Sequence, residues 1–242
     1  MVTVVGRGHS GTRVLSQVFA RSGVFMGEPQ NGSADLIPPD DFYEACRIAG
    51  RLVRYAGDAR WDFSALLDAP VDLAFGRLVQ SYLASVLASD AEHRGWKLPE
   101  TVLAYPWMVR LYPEIRYVHW VRDPRDGILD RNPTDLLGDF GVPTEPTECV
   151  YRRRALSWLY QRQIVAATPP PAHHTLERFE DFVRDQPATL ARLETFLGIP
   201  LTPIDVLPGK VGRWRAEPER ITCVADLLAP ELAALGYGPW SG

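Results

Sequence analysis

The chain has 242 residues, of which 46% are hydrophobic and 23% charged, which is typical of a globular protein and excludes a disordered or collagen-like chain. The net charge of -4 argues against nucleic-acid binding, and no run of about 18 apolar residues is present that would predict a membrane span. The N-terminal sequence does not resemble a signal peptide, and the three cysteines (Cys46, Cys149 and Cys223) are widely separated, so we expect a cytoplasmic protein with reduced thiols and no zinc site.

The first predicted elements are a strand, a glycine loop and a helix. Residues 2–5 are all β-branched and are followed by Gly6, which predicts a buried strand. Residues 6–12 (GRGHSGT) form a loop of small residues, and residues 13–21 have the spacing of an amphipathic helix. A loop rich in proline and glycine follows over 27–40.

The middle of the chain predicts mostly helices. Helical patterns cover residues 41–56 and 71–89. A short strand is predicted over 95–98, and Pro99 is suited to the first position of a helix that ends near Tyr112.

The second half predicts two further strands among helices. Residues 115–121 are β-branched and aromatic, which favours a strand, and Asp123-Pro124 is a helix start. Residues 132–147 contain three prolines and two glycines, which predicts a mobile loop. The remaining predicted elements are a helix over 148–167, a strand over 174–179, a helix over 186–197, a loop over 207–219 and a helix near 222–235.

Strands thus alternate with helices along the chain. This alternation predicts an α/β fold with three layers, in which helices flank both faces of a central parallel sheet. We expect a single domain over residues 1–242, with a helical insert at about 40–90 that forms a partial cap.

The strand, glycine loop and helix start near the N-terminus together predict an anion site. Backbone N–H groups and the positive end of the helix dipole point at a ligand in such an arrangement. Hydroxyl groups and positive charge are supplied by Ser10, Thr12, Arg7, His9 and Arg13.

Two common nucleotide motifs match the loop only in part. Gly6 and Gly11 have the spacing of the nucleotide-triphosphatase loop, but Thr12-Arg13 replaces the required lysine and magnesium-binding hydroxyl. Gly6, Gly8 and Gly11 also fit the dinucleotide pattern, but the acid expected after a second strand is missing, since Glu28 lies in a loop. A tight turn without a ligand is the structural alternative.

The run His9-Ser10-Gly11-Thr12-Arg13-Val14-Leu15 resembles the 5′-phosphosulfate loop of sulfotransferases that use 3′-phosphoadenosine 5′-phosphosulfate. The resemblance covers residues 2 to about 237 and implies a P-loop-like sulfotransferase fold. Other segments that resemble this family, in its order, are Trp96–Thr101 (WKLPET), Tyr117–Asp126 (YVHWVRDPRD), Phe179–Phe182 (FEDF), Gly209–Trp214 (GKVGRW) and Leu235–Tyr237 (LGY).

Two departures from the family affect recognition of the 3′-phosphate. The family has a serine eight residues after its strand-end arginine, whereas counting from Arg122 leads to Asp130, an acid facing an anion. Leu207-Pro208 stands where the family has an Arg-Lys pair. Either donor binding is weakened, or the donor differs, or one of four basic residues substitutes: Arg125, Arg131, Lys210 or Arg213.

The resemblance implies transfer of a sulfuryl group to a hydroxyl or amine of a small molecule or carbohydrate, with no metal. Such a displacement depends on positioning and fixed positive charge. The implied catalytic residues are Lys97 as a cation at the sulfuryl group, His9 as a donor to the bridging oxygen, and Glu28 as the base. The implied donor-binding residues are Arg7, Gly8, His9, Ser10, Gly11, Thr12, Arg13, Arg122, Asp130, Lys210, Val211, Gly212, Arg213 and Trp214.

Several alternatives stay open from the sequence. Asp40, Asp41 and Glu44 are other candidate bases, and the acidic balance of residues 28–72 favours a neutral or cationic acceptor. A P-loop kinase or nucleotide hydrolase would bind magnesium-ATP. A non-catalytic phosphonucleotide-binding protein would bind the nucleotide and tolerate loss of Lys97 and Glu28.

Overall fold

A central parallel sheet forms the middle of the computed structural model, which describes residues 1–240. The strands are β1 (Val2–Val5), β2 (Arg54–Gly57), β3 (Arg60–Asp62), β4 (Gly95–Lys97), β5 (Arg116–Val121) and β6 (His174–Arg178). Four of them form one sheet in the order β4-β1-β5-β6 with every pairing parallel, and β2 and β3 form a separate antiparallel hairpin. The predicted α/β class with a parallel sheet is confirmed.

Helices cover both faces of this sheet. They are α1 (Thr12–Arg21), α2 (Asp40–Gly50), α3 (Ser64–Asp68), α4 (Leu73–Tyr82), α5 (Ala84–Ala88), α6 (Tyr105–Leu111), α7 (Pro124–Gly127), α8 (Val150–Ala167), α9 (Phe179–Arg184), α10 (Gln186–Leu197) and α11 (Ala225–Ala234). Within residues 1–240, no helix combines the length and apolar composition needed to cross a membrane.

Each face of the sheet is packed by its own hydrophobic cluster. Val4 and Trp120 pack with residues of α1, α9 and α10 on one side, whereas Val5 and Tyr117 pack with α2, α4, α6 and α8 on the other. Successive side chains of a strand point to opposite faces, so a strand buried on both sides needs a continuous apolar run. This is why the short run at residues 2–5 forms the central strand.

The region predicted as two helices over 41–56 and 71–89 differs from expectation. The first helix ends at Gly50, and the β2–β3 hairpin follows; its turn residues Asp58 and Ala59 both have positive φ. Such a two-residue turn is usually marked by Asn-Gly or Asp-Gly, a signal that this sequence lacks. The second helix is interrupted at Leu83, between α4 and α5.

The segment predicted as a mobile loop over 132–147 packs against the body of the protein in its first half. The Asn132 side chain caps a 3₁₀ turn at Pro133–Asp135. Thr134 is fully buried and receives a hydrogen bond from Gln161 of α8. Phe140 lies in the core, so only part of the predicted loop faces solvent.

The register of the parallel strands brings their carboxyl ends to one edge. Val4 pairs with Lys97 at the end of β4, and Val5 pairs with His119 of β5. The glycine loop follows β1, and Arg122 follows β5. Ligands of open α/β sheets bind at this edge, so the fold brings the predicted anion site together from separate segments.

Candidate active site

The glycine loop between β1 and α1 is shaped by close backbone packing. Gly11 has a φ of 88° and stands at the N-terminus of α1 with no side-chain cap in the described chain. A Cβ at Gly11 would lie 2.4 Å from the Phe179 ring, and one at Gly8 would lie 1.7 Å from the Asn132 amide. Glycine is therefore required at both positions, and the first N–H groups of α1 remain available to an anion.

A cavity of about 380 Å³, the main cavity, opens at this loop. Its walls come from the glycine loop, the segment before α2, the ends of β4 and β5, the turn at 130–132 and the late loop near 210. The residues that line it are Gly8, His9, Gly11, Thr12, Arg13, Val14, Ser33, Asp35, Lys97, Pro99, Arg122, Asp130, Asn132, Phe179, Lys210 and Arg213. This set contains six basic side chains and two carboxylates, so the main cavity is suited to a polyanion even though the chain is acidic overall.

Arg122 holds three parts of the site together. Its guanidinium donates hydrogen bonds to the carbonyl oxygens of His9 and Lys210 and, over 3.1 Å, to the Asp126 carboxylate. It also lies 4.9 Å from the Phe179 ring centroid. A buried arginine at the end of β5 thus connects the glycine loop to the late loop while facing the main cavity.

Asp126 orders the late loop that supplies further positive charge. This fully buried carboxylate accepts hydrogen bonds from the backbone N–H groups of Gly212 over 2.7 Å and Trp214 over 3.0 Å. The turn is closed at Gly212, whose φ is 76°. These contacts position Lys210 and Arg213 on the wall of the main cavity.

The acid that departs from the family pattern is paired. Asp130 receives a hydrogen bond of 2.7 Å from Arg213, and this contact lowers the pKa of Asp130 below its ordinary value. The two residues thus partly neutralise each other beside the predicted 3′-phosphate position. Arg213 is the one of the four proposed substitutes whose side chain contacts Asp130.

Lys97 is buried at the end of β4, 2% exposed, in contact with a carboxylate. Its ammonium group donates to the Asp35 carboxylate and, over 2.6 Å, to the carbonyl oxygen of Ser33. Burial lowers the pKa of Lys97, while the Asp35 charge acts in the opposite direction. The cation predicted at the sulfuryl group therefore already faces an acid that the sequence had not singled out.

His9 is oriented by a neighbouring carbonyl. Its Nε2 lies 2.7 Å from the carbonyl oxygen of Arg131, and the residue has a φ of 64°. A carbonyl oxygen only accepts hydrogen bonds, so Nε2 carries the proton and donates in this arrangement. The exposed imidazole lines the main cavity.

Some predicted site residues lie elsewhere. Arg7 is buried and donates to Gly127 and Asp135, because its side chain points under the loop. Ser10 lines a separate small cleft. Glu28 is exposed and lies outside the main cavity, since the 27–40 loop brings Asp35 to it instead.

The late loop also includes predicted contacts that do not line the main cavity. Val211 packs against the cluster of α1 and α10, and Gly212 contributes its backbone to the turn. Trp214 is 3% exposed and stacks on the Arg125 guanidinium at 4.2 Å, so it is a packed core residue rather than an open stacking platform.

Residues missed by the sequence interpretation include Asp35, Asn132 and Phe179. Asp35 was one acid among many in an acidic stretch. The Asn-Pro pair at 132–133 is a signal for a turn start, which would have placed Asn132 at a fixed position. Phe179 lies in the FEDF segment, but only its contact with Gly11 explains its place in the site.

A smaller side cavity of about 160 Å³ adjoins the main one. The two share Asp35, Pro99 and Asn132. The side cavity is also lined by Tyr43 and Glu100, and burial raises the pKa of Glu100 to about 7. A carboxyl group that titrates near neutral pH therefore lies next to the cation-lined main cavity.

Comparison with known proteins places this geometry in a family. The model of the sulfotransferase family matches residues 2–203. A sulfotransferase domain from the curacin biosynthetic pathway is 14% identical, with a TM-score of 0.57 and coverage of 99% of this chain and 98% of that one. Sulfotransferase STF9 from Mycobacterium avium is 12% identical, with a TM-score of 0.55 and coverage of 100% and 78%.

These two structures share the fold at low identity, and no curated protein sequence matches the chain. The family match covers the glycine loop, Lys97, Arg122 and Asp130, which lie together at one edge of the sheet. The resemblance to sulfotransferases and the predicted three-layer fold are confirmed, and the chain belongs to the sulfotransferase family.

Proposed function

We propose that this sulfotransferase takes its sulfuryl group from 3′-phosphoadenosine 5′-phosphosulfate and transfers it to a hydroxyl or amine of a small molecule or sugar. The observation that carries this proposal is the main cavity, in which six basic side chains surround the N-terminus of α1. A donor with phosphate groups at both ends of its ribose needs positive charge at two separate places.

We propose that separate parts of the main cavity hold the two phosphate-bearing ends of such a donor. The glycine loop and the first turn of α1 would hold the 5′-phosphosulfate through backbone N–H groups, with His9 and Arg13 beside it. Arg122, Lys210 and Arg213 would hold the 3′-phosphate. We propose no adenine-stacking role for Trp214, because this side chain is buried.

The reaction is an in-line displacement at sulfur. The acceptor oxygen or nitrogen forms a bond to sulfur while the bond from sulfur to the bridging phosphate oxygen breaks. The bond's electron pair stays with adenosine 3′,5′-bisphosphate, and the acceptor loses one proton. Fixed cations that stabilise the charge on the leaving phosphate supply most of the catalysis in such reactions.

Lys97 and Asp35 are the residues best placed for this step. We propose that the donor draws the Lys97 ammonium away from Asp35 and onto the sulfuryl oxygens. Asp35 then has no cation in contact and accepts the proton of the acceptor. This assignment replaces Glu28, which is exposed and outside the main cavity.

We propose that the acceptor enters through the side cavity. Glu100 and Asp35 line it, and Tyr43 brings a phenol group. The residues that line the side cavity include no basic side chain, which favours a neutral or cationic acceptor over an acidic one.

A thermal-shift panel tests the donor. Adenosine 3′,5′-bisphosphate should raise the melting temperature, since a ligand at 100 times its Kd stabilises a protein by about 2.7 kcal/mol. ATP with magnesium should raise it less. Stabilisation by magnesium-ATP alone would contradict the proposal and favour a nucleotide kinase or hydrolase.

A Lys97→Met variant separates catalysis from binding. We expect release of adenosine 3′,5′-bisphosphate from the donor, assayed with a panel of alcohols, phenols and amino sugars, to fall by about 100-fold or more. Affinity for the bisphosphate product, measured by calorimetry, should change by less than about threefold, because the product lacks the sulfuryl group. Unchanged turnover would remove Lys97 from the reaction, whereas bisphosphate binding by a wild type that shows no turnover would point to a binding protein.

A further inference from the structure

Two of the three cysteines, far apart in sequence, meet in space at the start of α8. The Sγ atoms of Cys149 and Cys223 are 3.3 Å apart, although the residues are separated by 74 positions. Cys149 is the N-cap of α8, and Cys223 lies in the 3₁₀ turn Thr222–Val224 that leads into α11. Formation of a disulfide requires the two sulfur atoms to move from this contact to about 2.05 Å apart.

The surroundings of the pair favour reaction at Cys149. Burial acts to raise the pKa of this thiol, but the backbone N–H of Arg152 and the hydrogen bond from Cys223 oppose it, and the net pKa is lowered. The Arg152 N–H donates to Sγ over 3.4 Å, as the N-terminus of a helix does for an anion. Cys223 is exposed, so a small oxidant has access to the pair.

The third cysteine differs in each of these respects. Cys46 is buried in α2, and burial raises its pKa well above the ordinary value. Its Sγ donates a weak hydrogen bond to the carbonyl oxygen of Glu100 over 3.6 Å. It therefore serves as an internal reference thiol.

We propose that Cys149 and Cys223 form a reversible disulfide when the protein meets a peroxide. The Cys149 thiolate attacks one peroxide oxygen, which gives a sulfenic acid and, after protonation, water. The Cys223 thiol then attacks the sulfenic sulfur, the new S–S bond forms, and a second water leaves. In sum, two thiols lose two electrons and two protons to hydrogen peroxide, and a dithiol reverses the reaction.

The bond would fasten the late segment to α8. Arg220 of this segment already donates to the Tyr151 hydroxyl of α8 over 2.6 Å, close to the cysteine pair. The same segment begins with Lys210 and Arg213 on the wall of the main cavity. If the proposed function holds, the disulfide restricts opening of that wall and slows release of adenosine 3′,5′-bisphosphate.

The test is oxidation of the full chain with hydrogen peroxide, followed by a thiol count in denaturant. The wild type should fall from three free thiols to one and lose about 2 Da in intact mass, and a dithiol should restore both. Peptide mapping should recover a peptide that links Cys149 to Cys223. The C46A variant should still form this bond, whereas C223S, changed at an exposed site, should form none.

A second readout does not depend on activity. The disulfide closes a 74-residue separation in the unfolded chain, so the oxidised wild type should melt at a higher temperature than the reduced form, and C223S should show no such difference. Independent oxidation of the two cysteines without a crosslink would overturn the proposal. Crosslinking without slower product release would overturn only the effect on the main cavity, and failure of bisphosphate binding in the reduced protein would instead count against the proposed function.

Discussion

A single contact changes the charge that Asp130 presents to its surroundings. By its sequence position it is an acid facing the 3′-phosphate, and in the structure it is paired with Arg213 over 2.7 Å. The ion pair offsets the negative charge of Asp130 near a bound anion, but it also engages the Arg213 guanidinium, which is then less available to the ligand. An acid that neutralises a binding cation lowers affinity for an anionic ligand without abolishing it.

We therefore expect Asp130→Asn to bind adenosine 3′,5′-bisphosphate about three- to tenfold more tightly, a change of about 0.7–1.4 kcal/mol. The substitution removes one negative charge and frees Arg213 for the phosphate. Isothermal titration calorimetry would measure the affinity. Asp205→Asn makes the same charge change at an exposed residue outside the main cavity and should leave the affinity unchanged, while weaker binding by Asp130→Asn would show that Asp130 itself holds the ligand.

Substitution of Arg122 is expected to weaken bisphosphate binding, in contrast to Asp130→Asn. Arg122→Gln should weaken bisphosphate binding by about 10- to 100-fold, because hydrogen bonds to charged groups contribute about 1.5–3 kcal/mol. The contacts to His9 and Lys210 would be lost as well, so the melting temperature without ligand must be recorded beside the affinity. Arg184→Gln, at a side chain that is 66% exposed, is the matched control. An affinity equal to that of the control would exclude Arg122 from the donor site.

At the scale of elements, the glycine loop and α1 act as one unit. Gly11 needs both its positive φ and the absence of a side chain, because the Phe179 ring occupies the space that a Cβ would fill. The loop conformation and the contact with α9 are therefore coupled. A change at Gly11 therefore disturbs the conformation of the glycine loop and the packing against Phe179 together.

Gly11→Ala should lower both stability and bisphosphate affinity. The left-handed backbone alone costs about 1–2 kcal/mol for a residue with a Cβ, and the contact of 2.4 Å forces Phe179 to move. Thermal melting and calorimetry would show the two effects. Gly76→Ala, inside α4 with open space around it, is the control and should stabilise the protein by about 0.5–1 kcal/mol. Equal behaviour of the two variants would contradict the proposed role of the loop.

The elements also differ in how well the sequence predicts them. β1 and β5 are clear because buried parallel strands require continuous apolar runs, and both are observed at the predicted places. The β2–β3 hairpin could not be predicted in this way, since its central turn pair is Asp58-Ala59 rather than Asn-Gly or Asp-Gly. Trp61 is held by contacts with Pro143 and Tyr160, which are distant in sequence. Contacts with residues distant in sequence, rather than local propensity, therefore determine the conformation of this segment.

At the scale of the whole molecule, two buried titratable groups connect stability to pH. Burial raises the pKa of Glu100 from 4.5 to about 7 and lowers that of His119 from 6.5 to about 3. Both groups are therefore neutral in the folded protein over part of the range where the unfolded chain is charged. Each opposes folding on one side of the pH range.

Glu100 does not lower the stability of the fold below pH 4.5, where its carboxyl group is protonated in both the folded and the unfolded chain. Stability is lost as the pH rises from 4.5 to about 7, because the unfolded chain releases the proton first. The free energy of unfolding should fall over this window by up to about 3 kcal/mol relative to Glu100→Gln. Urea denaturation at half-unit pH intervals would measure the difference. A constant difference between the two proteins from pH 4.5 to 7.5 would show that Glu100 ionises normally.

His119 has the opposite pH dependence. It does not lower the stability of the fold above pH 6.5, and stability is lost as the pH falls to about 3, because the unfolded chain takes up a proton that the buried imidazole excludes. His119→Leu should therefore lose less stability than the wild type on acidification. The same denaturation series would detect this, and parallel curves below pH 6.5 would contradict it.

The parallel α/β class, the glycine loop after β1 and the family were all predictable from the sequence, because these depend on local runs of residues whose order along the chain is informative. The sequence placed Lys97, Arg122 and the glycine loop at strand ends, which parallel strands bring to one edge. It could not select among the arginines or acids, since burial and pairing depend on contacts between residues far apart in the chain.

Those pairings follow from the tertiary structure. In the structure, Arg7 points beneath the loop toward Asp135, and Asp35 rather than Glu28 lines the main cavity. Cys149 contacts Cys223, which is 74 positions away in sequence. The physical reason is the same in each case. A charged or reactive side chain takes its role from the groups that packing places around it, and those neighbours are not its neighbours in sequence.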